Sequence, residues 1–164
     1  MTAQPSDFKK LFTVEEANAM LPLVRAICTD LSQLSRDVVD RRERLANLRR
    51  VREAQGRPEK RQDLYAEEVA QIEDELESDS RRLNDYVEEL RKLGVEPKNG
   101  LDGLVDFPSL VDGRVVFLCW CLSEPEVLYW HEIEAGFAGR QSLTAESGAG
   151  SKFDSELLEE NDLK

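Results

Sequence analysis

Histidine is almost missing from this chain of 164 residues: there is one, His131, beside three cysteines, Cys28, Cys119 and Cys121. An odd cysteine count gives no disulfide framework. Cys119 and Cys121 are two apart, so on a strand their side chains share a face roughly 7 Å apart, too far for an unstrained bridge. Free thiols point to a reducing compartment, and the cytoplasm is the default expectation. The start, MTAQPSDFKK, lacks the apolar core of a signal peptide. Long apolar runs are absent too. The longest, Val115 to Leu122, is too short for a bilayer, so no membrane partner is expected. No glycine-rich loop is built to cradle phosphate, and no nucleophile elbow carries a Ser-His-Asp arrangement. Basic residues are outnumbered 22 to 34, a net charge of −12, which disfavours general nucleic-acid binding.

Charged residues make up 34% of the chain and hydrophobic residues 40%, a balance that suits an extended helical shape with much solvated surface. Thr13-Val-Glu-Glu16 has the pattern of a capping box, with Phe12 placed to staple against Ala17. Apolar residues then recur at helical spacing: Ala17, Leu21, Val24, Cys28, Leu31, Val38 and Leu45. Pro22 lies inside this pattern and should bend the helix near its start. The pattern stops at Gln55-Gly56-Arg57-Pro58. A second stripe follows at Tyr65, Val69, Ile72, Leu76, Leu83, Tyr86, Leu90 and Leu93, ended by Gly94. Two arms of about 50–60 Å, joined by a short turn, should pack antiparallel. A turn near Arg57 sets Ser35 opposite Asp79. It also sets Arg36, Arg41, Arg42 and Arg44 across from seven acids between Glu67 and Asp79.

After Gly94 the composition changes. Val95 to Gly103 reads as a turn-rich linker. Three β signals follow at 104–107, 114–122 and 126–132, with Asp112-Gly113 and Ser123-Glu-Pro125 as turns. The middle strand is apolar on both sides and should be central. The expected fold is α+β, predominantly α: a long antiparallel, coiled-coil-like helical hairpin with a small C-terminal antiparallel β-meander at its open end. Residues 1–144 form one domain, with helices over 13–55 and 59–93 and a β-cap over 104–132. Residues 145–164, with six acids against two lysines, form an acidic tail expected to be disordered.

Chemistry, if any, should sit in the cap, where both tryptophans, two cysteines and the histidine gather. Cys119, Cys121 and His131, with an acid such as Asp106 or Glu134, could offer metal ligands, although their spacing matches no zinc motif. Asp106, Glu132, Glu134 and Arg140 could form a polar cluster able to split carboxylate pKa values for acid–base work. Set against both is a hydrogen-bonded structural histidine among ordinary salt bridges. The hairpin tip is a second candidate surface. Arg41 to Arg61 carries nine bases and three acids, including Arg41, Arg42, Arg44, Arg49, Arg50 and Arg52. No aromatic residue is interleaved there, so base stacking is not expected. Met20, Ile27, Leu34 and Leu48 widen the apolar stripe and favour a homodimer built through the helices.

Four blocks carry a resemblance: FTVEEANAMLP (Phe12 to Pro22), GLVDFPSLVDGR (Gly103 to Arg114), FLCWCLSE (Phe117 to Glu124) and YWHEIEAGFAGRQ (Tyr129 to Gln141). With these the chain resembles the bacterial domain-of-unknown-function family 2203, departing at Ser123, where that pattern has Gly. The resemblance implies no established activity or cofactor. It singles out Asp106, Trp120, Glu124, Trp130, His131 and Arg140. The leading expectation is a non-enzymatic cytoplasmic scaffold or interaction module with the β-cap or basic tip as contact surface. The alternative is a small ligand- or metal-binding protein, possibly an enzyme, using the His/acid/aromatic cluster.

Overall fold

The computed structural model describes residues 3–55 and 59–143. The expected turn at 56–58 and the acidic tail lie outside the described residues. After a short 3-10 turn at Pro5–Asp7 come two long helices, α1 (Val14–Gln55) and α2 (Glu59–Lys92). The capping box forms as its sequence demands: the Glu16 amide donates to Thr13 Oγ1 at 3.0 Å, and the Thr13 amide to Glu16 Oε1 at 3.3 Å. Phe12 does more than staple. It is wholly buried and packs edge-on against Phe107, with ring centroids 5.2 Å apart. Helix α1 continues through Pro22, which removes only the amide that would have bonded the Asn18 carbonyl. At the far end of α2, the Val95 amide donates to the Leu90 carbonyl and the Gly94 amide to that of Arg91, with Gly94 at φ +86°. This left-handed closure favours glycine and turns the chain into the sheet.

Every seam residue expected on α1, from Ala17 to Leu45, is buried. The hairpin is laced by Arg41 to Asp79 and Glu75, Arg44 to Glu68 and Arg49 to Glu73. Asp79 is therefore answered by Arg41. Ser35 bonds the Leu31 carbonyl at 2.7 Å and lies beneath Gly100, where an added Cβ would sit 2.8 Å from its hydroxyl.

The sheet has five antiparallel strands in chain order, β1 (Glu96–Asn99), β2 (Leu104–Val111), β3 (Arg114–Trp120), β4 (Tyr129–Glu132) and β5 (Gln141–Ser142). The expected linker over 95–103 thus contains a strand, and a short strand follows the cap. The first expected strand runs on to Val111, the second ends at Trp120, and the third begins at Tyr129. Asp112 (φ +49°) and Gly113 (φ +75°) form the tight β2–β3 turn, matching the strand twist. Pro108 sits within β2 beyond the stretch paired to β1, where its missing amide breaks no ladder; its carbonyl instead accepts the Phe12 amide at 2.7 Å.

The register gives the sheet two faces. Val105, Phe107, Val116, Leu118, Trp120 and Trp130 join Phe12, Ala17, Val24, Cys28, Leu31 and Leu90 in one core. Asp106, Cys119 and Tyr129 align on the opposite face, with Phe117 and His131 in the next row. Strand β3 is buried on both faces, as a central strand should be.

Ile27 and Leu34, expected to be left uncovered, are buried within the chain, while Met20 and Leu48 are half-buried. The cap and hairpin therefore hide much of the stripe that a dimer was to cover.

Burial pushes the Cys28 thiol from its ordinary 9.0 to about 12, and burial followed by the nearby Asp106 charge does the same to Cys119. Each thiol keeps its proton longer in the folded chain than in the unfolded one. The stabilisation is complete below pH about 9 and is lost as pH rises toward 12, at about 1.4 kcal/mol per pH unit per thiol. Urea titrations across this window should show a loss shallower by one proton for Cys28→Ala. Equal slopes would refute this account of Cys28.

Candidate functional site

Antiparallel pairing places Asp106 directly opposite Cys119, and Phe117 opposite His131. A carboxylate oxygen of Asp106, a ring nitrogen of His131 and Cys119 Sγ lie within 4.8 Å of one another, and all three residues are buried. His131 Nε2 is 3.0 Å from Asp106 Oδ1, and His131 Nδ1 is 2.7 Å from the Glu132 carbonyl oxygen. A carbonyl can only accept, so Nδ1 must carry a proton. The other nitrogen, Nε2, is then the one turned toward Asp106. Two lone pairs cannot face each other at that distance, so a proton or a cation must lie between Nε2 and Oδ1.

This geometry excludes a Cys-His-Asp nucleophilic triad. Such a triad uses one ring nitrogen for the nucleophile and the other for the acid. Here the acid is on Nε2 and a carbonyl holds Nδ1. Moreover Cys119 is 1% exposed, and its thiol is held protonated by burial and by Asp106. Reactive cysteines need the opposite environment.

A second polar group borders the site. Arg140 Nη2 donates to Glu124 Oε1 at 2.6 Å, to Oε2 at 2.7 Å, and to the Cys119 carbonyl at 3.3 Å. Its guanidinium lies 4.2 Å from the Tyr129 ring centroid and 4.8 Å from that of Phe137. Burial alone would lower the pKa of Arg140, but hydrogen bonding to Glu124 and nearby negative charge outweigh it and raise it. The Glu124 carboxylate also accepts the Cys121 amide at 2.9 Å. Ser123, the departure from the family pattern, needs no glycine conformation, since among the described residues only Asp112 has positive φ outside glycine.

The other expected site residues part company. Cys121 lies past the end of β3, 3.2 Å from Ser123 Oγ, and does not join the ligand group. The acid–base cluster does not assemble either: Glu132 pairs with Arg114, Glu134 is exposed in a turn, and Arg140 is taken by Glu124. Trp120 and Trp130 belong to the core face. Among the described residues, the basic side chains of the tip are largely engaged within the hairpin. Besides the pairs to α2, Arg52 lies over Tyr65 at 4.5 Å and Arg50 donates to Asn47. Arg36 turns instead to the Ser32 hydroxyl at 3.1 Å.

Sequence reading missed Arg25. It donates to the carbonyls of Leu122, Glu124 and Pro125 at 3.2–3.3 Å and lies 5.0 Å from the Trp120 ring centroid, fixing the β3–β4 loop onto α1. Its only signal was a lone base between Val24 and Ala26 early in α1.

The sequence matches the family described as uncharacterised conserved protein (DUF2203) over residues 10–143. The chain belongs to family DUF2203. The matched span holds both helices, the whole sheet and every residue of the buried cluster. The DUF2203 match ends at the last described residue, Leu143, whose amide closes on the Leu128 carbonyl at 2.8 Å. No curated protein and no solved structure matches the chain. No helix among the described residues is long and apolar enough to cross a membrane.

Proposed function

We propose that this chain binds one divalent metal ion of borderline softness, with Zn²⁺ the first choice, through His131 Nε2, an Asp106 oxygen and Cys119 Sγ. The observation that carries this reading is the bond from His131 Nδ1 to the Glu132 carbonyl. It fixes a proton on Nδ1 and leaves Nε2, which faces Asp106, as the nitrogen that would ligate, the outer-shell arrangement usual for a metal-bound histidine. A nitrogen, an oxygen and a sulfur donor suit Zn²⁺, Fe²⁺ or Co²⁺ and disfavour Mg²⁺ and Ca²⁺, which take oxygen ligands. One thiolate and one carboxylate carry two negative charges, so a divalent ion leaves a neutral centre, which burial favours. Bonds of about 2.0–2.3 Å put tetrahedral donors about 3.3–3.8 Å apart. The widest separation in the group, at most 4.8 Å, would close by about 1 Å, while Nε2 and Oδ1, 3.0 Å apart, would open slightly. A three-donor set leaves one position for water or a small ligand.

Metal-loaded protein tests this. Native mass spectrometry should show one Zn²⁺ per chain, and Co²⁺ should give a thiolate charge-transfer band that Cys119→Ser removes. Zn²⁺ at a hundred times its Kd should add about 2.7 kcal/mol of stability. A chain that takes up neither ion in stoichiometric amount rules the metal out and leaves a hydrogen-bonded His–Asp pair as structural.

A second reading, a non-enzymatic cytoplasmic interaction module dimeric through its helices, draws support from exposed Val39, Val51 and Leu64 on the hairpin's outer half. It loses support from the burial of Ile27 and Leu34. A dimer mass by light scattering at micromolar concentration would favour it.

A further inference from the structure

The outer face of the sheet, which carries the three ligands, is roofed in part by the N-terminal segment. Residues 3–11 run from a fixed point at Phe12, whose amide donates to the Pro108 carbonyl at 2.7 Å and whose carbonyl accepts the Ser109 hydroxyl at 2.6 Å. Upstream of that anchor the attachment is thin. The Gln4–Asp7 bonds and the turn at Pro5–Asp7 are internal to the segment. Next to the anchor, Lys10 pairs with Glu16 at 3.2 Å and lies over the Phe12 ring. Beyond these, two hydrogen-bond or ring contacts tie residues 3–9 to the rest of the described fold. Lys9 Nζ donates to the Lys92 carbonyl at 2.5 Å, and the Phe8 ring meets Phe117 edge-on at 5.9 Å. Phe117 in turn stands 5.6 Å from the His131 ring. Phe8 is half-buried, Phe117 is 8% exposed and His131 is 2% exposed, so cover deepens along this row of rings.

A groove of about 310 Å³ runs beneath the segment, between Asp7, Phe8, Arg91, Glu96, Pro108 and Phe117. Its floor reaches the neighbours of two ligands. Glu96 is the β1 partner of Asp106, and Phe117 is the β3 partner of His131. A well-anchored hinge, a thinly attached segment, one aromatic plug and a groove leading toward buried donors together describe a gate. We propose that residues 3–11 form a strap hinged at Phe12, with Phe8 as its plug, which must lift for a metal ion to enter or leave the Asp106–Cys119–His131 site. This inference rests on the metal-binding reading. The strap supplies no ligand, so lifting it should speed binding and release together and leave the equilibrium nearly unchanged.

The test is Zn²⁺ release from the loaded full chain into excess chromogenic chelator, for wild type, Phe8→Ala and Phe8→Trp. Loss of one edge-on aromatic contact should raise the Phe8→Ala release rate about tenfold, with Kd changed less than about threefold. Phe8→Trp, which keeps the plug, should release at or below the wild-type rate. Phe8→Leu replaces Phe8→Ala should the latter melt early, with faster release again expected. A loaded, folded variant lacking the aromatic ring that releases Zn²⁺ at the wild-type rate overturns the strap and leaves the metal site standing. A wild-type chain that binds no Zn²⁺ overturns both.

Discussion

Replacing His131 by alanine should abolish stoichiometric Zn²⁺ uptake and also destabilise the metal-free protein by about 3–5 kcal/mol, the usual cost of stranding one half of a buried pair. Asp106 is 2% exposed and its Oδ1 has Nε2 at 3.0 Å. Without the imidazole, that carboxyl faces a cavity lined by Phe117 and Cys119. Chemical denaturation in the presence of chelator gives the stability, and native mass spectrometry the metal. A double variant, Asp106→Val with His131→Leu, separates the two effects. Apolar replacement of both partners of a buried pair is often neutral or stabilising, so metal-free stability should return to within about 1 kcal/mol of wild type. Metal binding should stay lost. A His131→Ala protein that costs less than about 1 kcal/mol and still takes up Zn²⁺ would show that the pair matters neither to the fold nor to the ion.

Trp120→Ala should cost about 3–5 kcal/mol, because it opens a large cavity in the one layer that joins sheet to hairpin. Trp120 is wholly buried, its Nε1 donates to the Glu124 carbonyl at 3.0 Å, and Arg25 lies over its face. Trp120→Phe keeps most of the volume and should recover most of the loss, the missing hydrogen bond costing about 0.5–1.5 kcal/mol. Zn²⁺ affinity of Trp120→Phe should match wild type, since the ring points away from the ligand face. A tenfold fall in that affinity at unchanged stability would restore Trp120 to the site, where its place in the family blocks had put it.

The helices were legible because their signals are local. The capping box, the spacing of threes and fours and the closing Gly94 each act within one or two turns of chain. Strands β2 to β4 were legible in place because Val, Phe, Trp and Tyr cluster there, and Asp112-Gly113 marks the turn. Strand β1, Glu-Pro-Lys-Asn, carries no apolar alternation. It exists because β2 offers it a ladder, and its Pro97 and Lys98 are residues that suit an edge. Strand β5 is two residues long and is likewise held by its neighbour.

The site was half legible for the same reason. Alternation shows that Cys119 shares a face with Phe117, and His131 with Tyr129. Which row meets which depends on register, set by a turn on one side and by a loop of eight residues, Cys121 to Leu128, on the other. Cys121 seemed equivalent to Cys119 on the assumption that β3 continued. The strand instead ends at Trp120, where the Glu124 carboxylate takes the next amide. The pairings of Glu124 with Arg140 and Glu132 with Arg114 are long-range, so nothing local could separate them from a catalytic cluster.

The outer half of the hairpin is sealed by Val38, Leu45 and Ile72, which are buried but stand apart from the core that holds the sheet. Deleting seven residues from each arm in step would slide one seam repeat out and shorten the protrusion by about 10 Å. Neither the Phe12 anchor, the Arg25 clamp nor the three donors would move. Arm length is therefore a dimension that can vary between relatives independently of the chemistry at its base, as a handle can be lengthened without reshaping the tool.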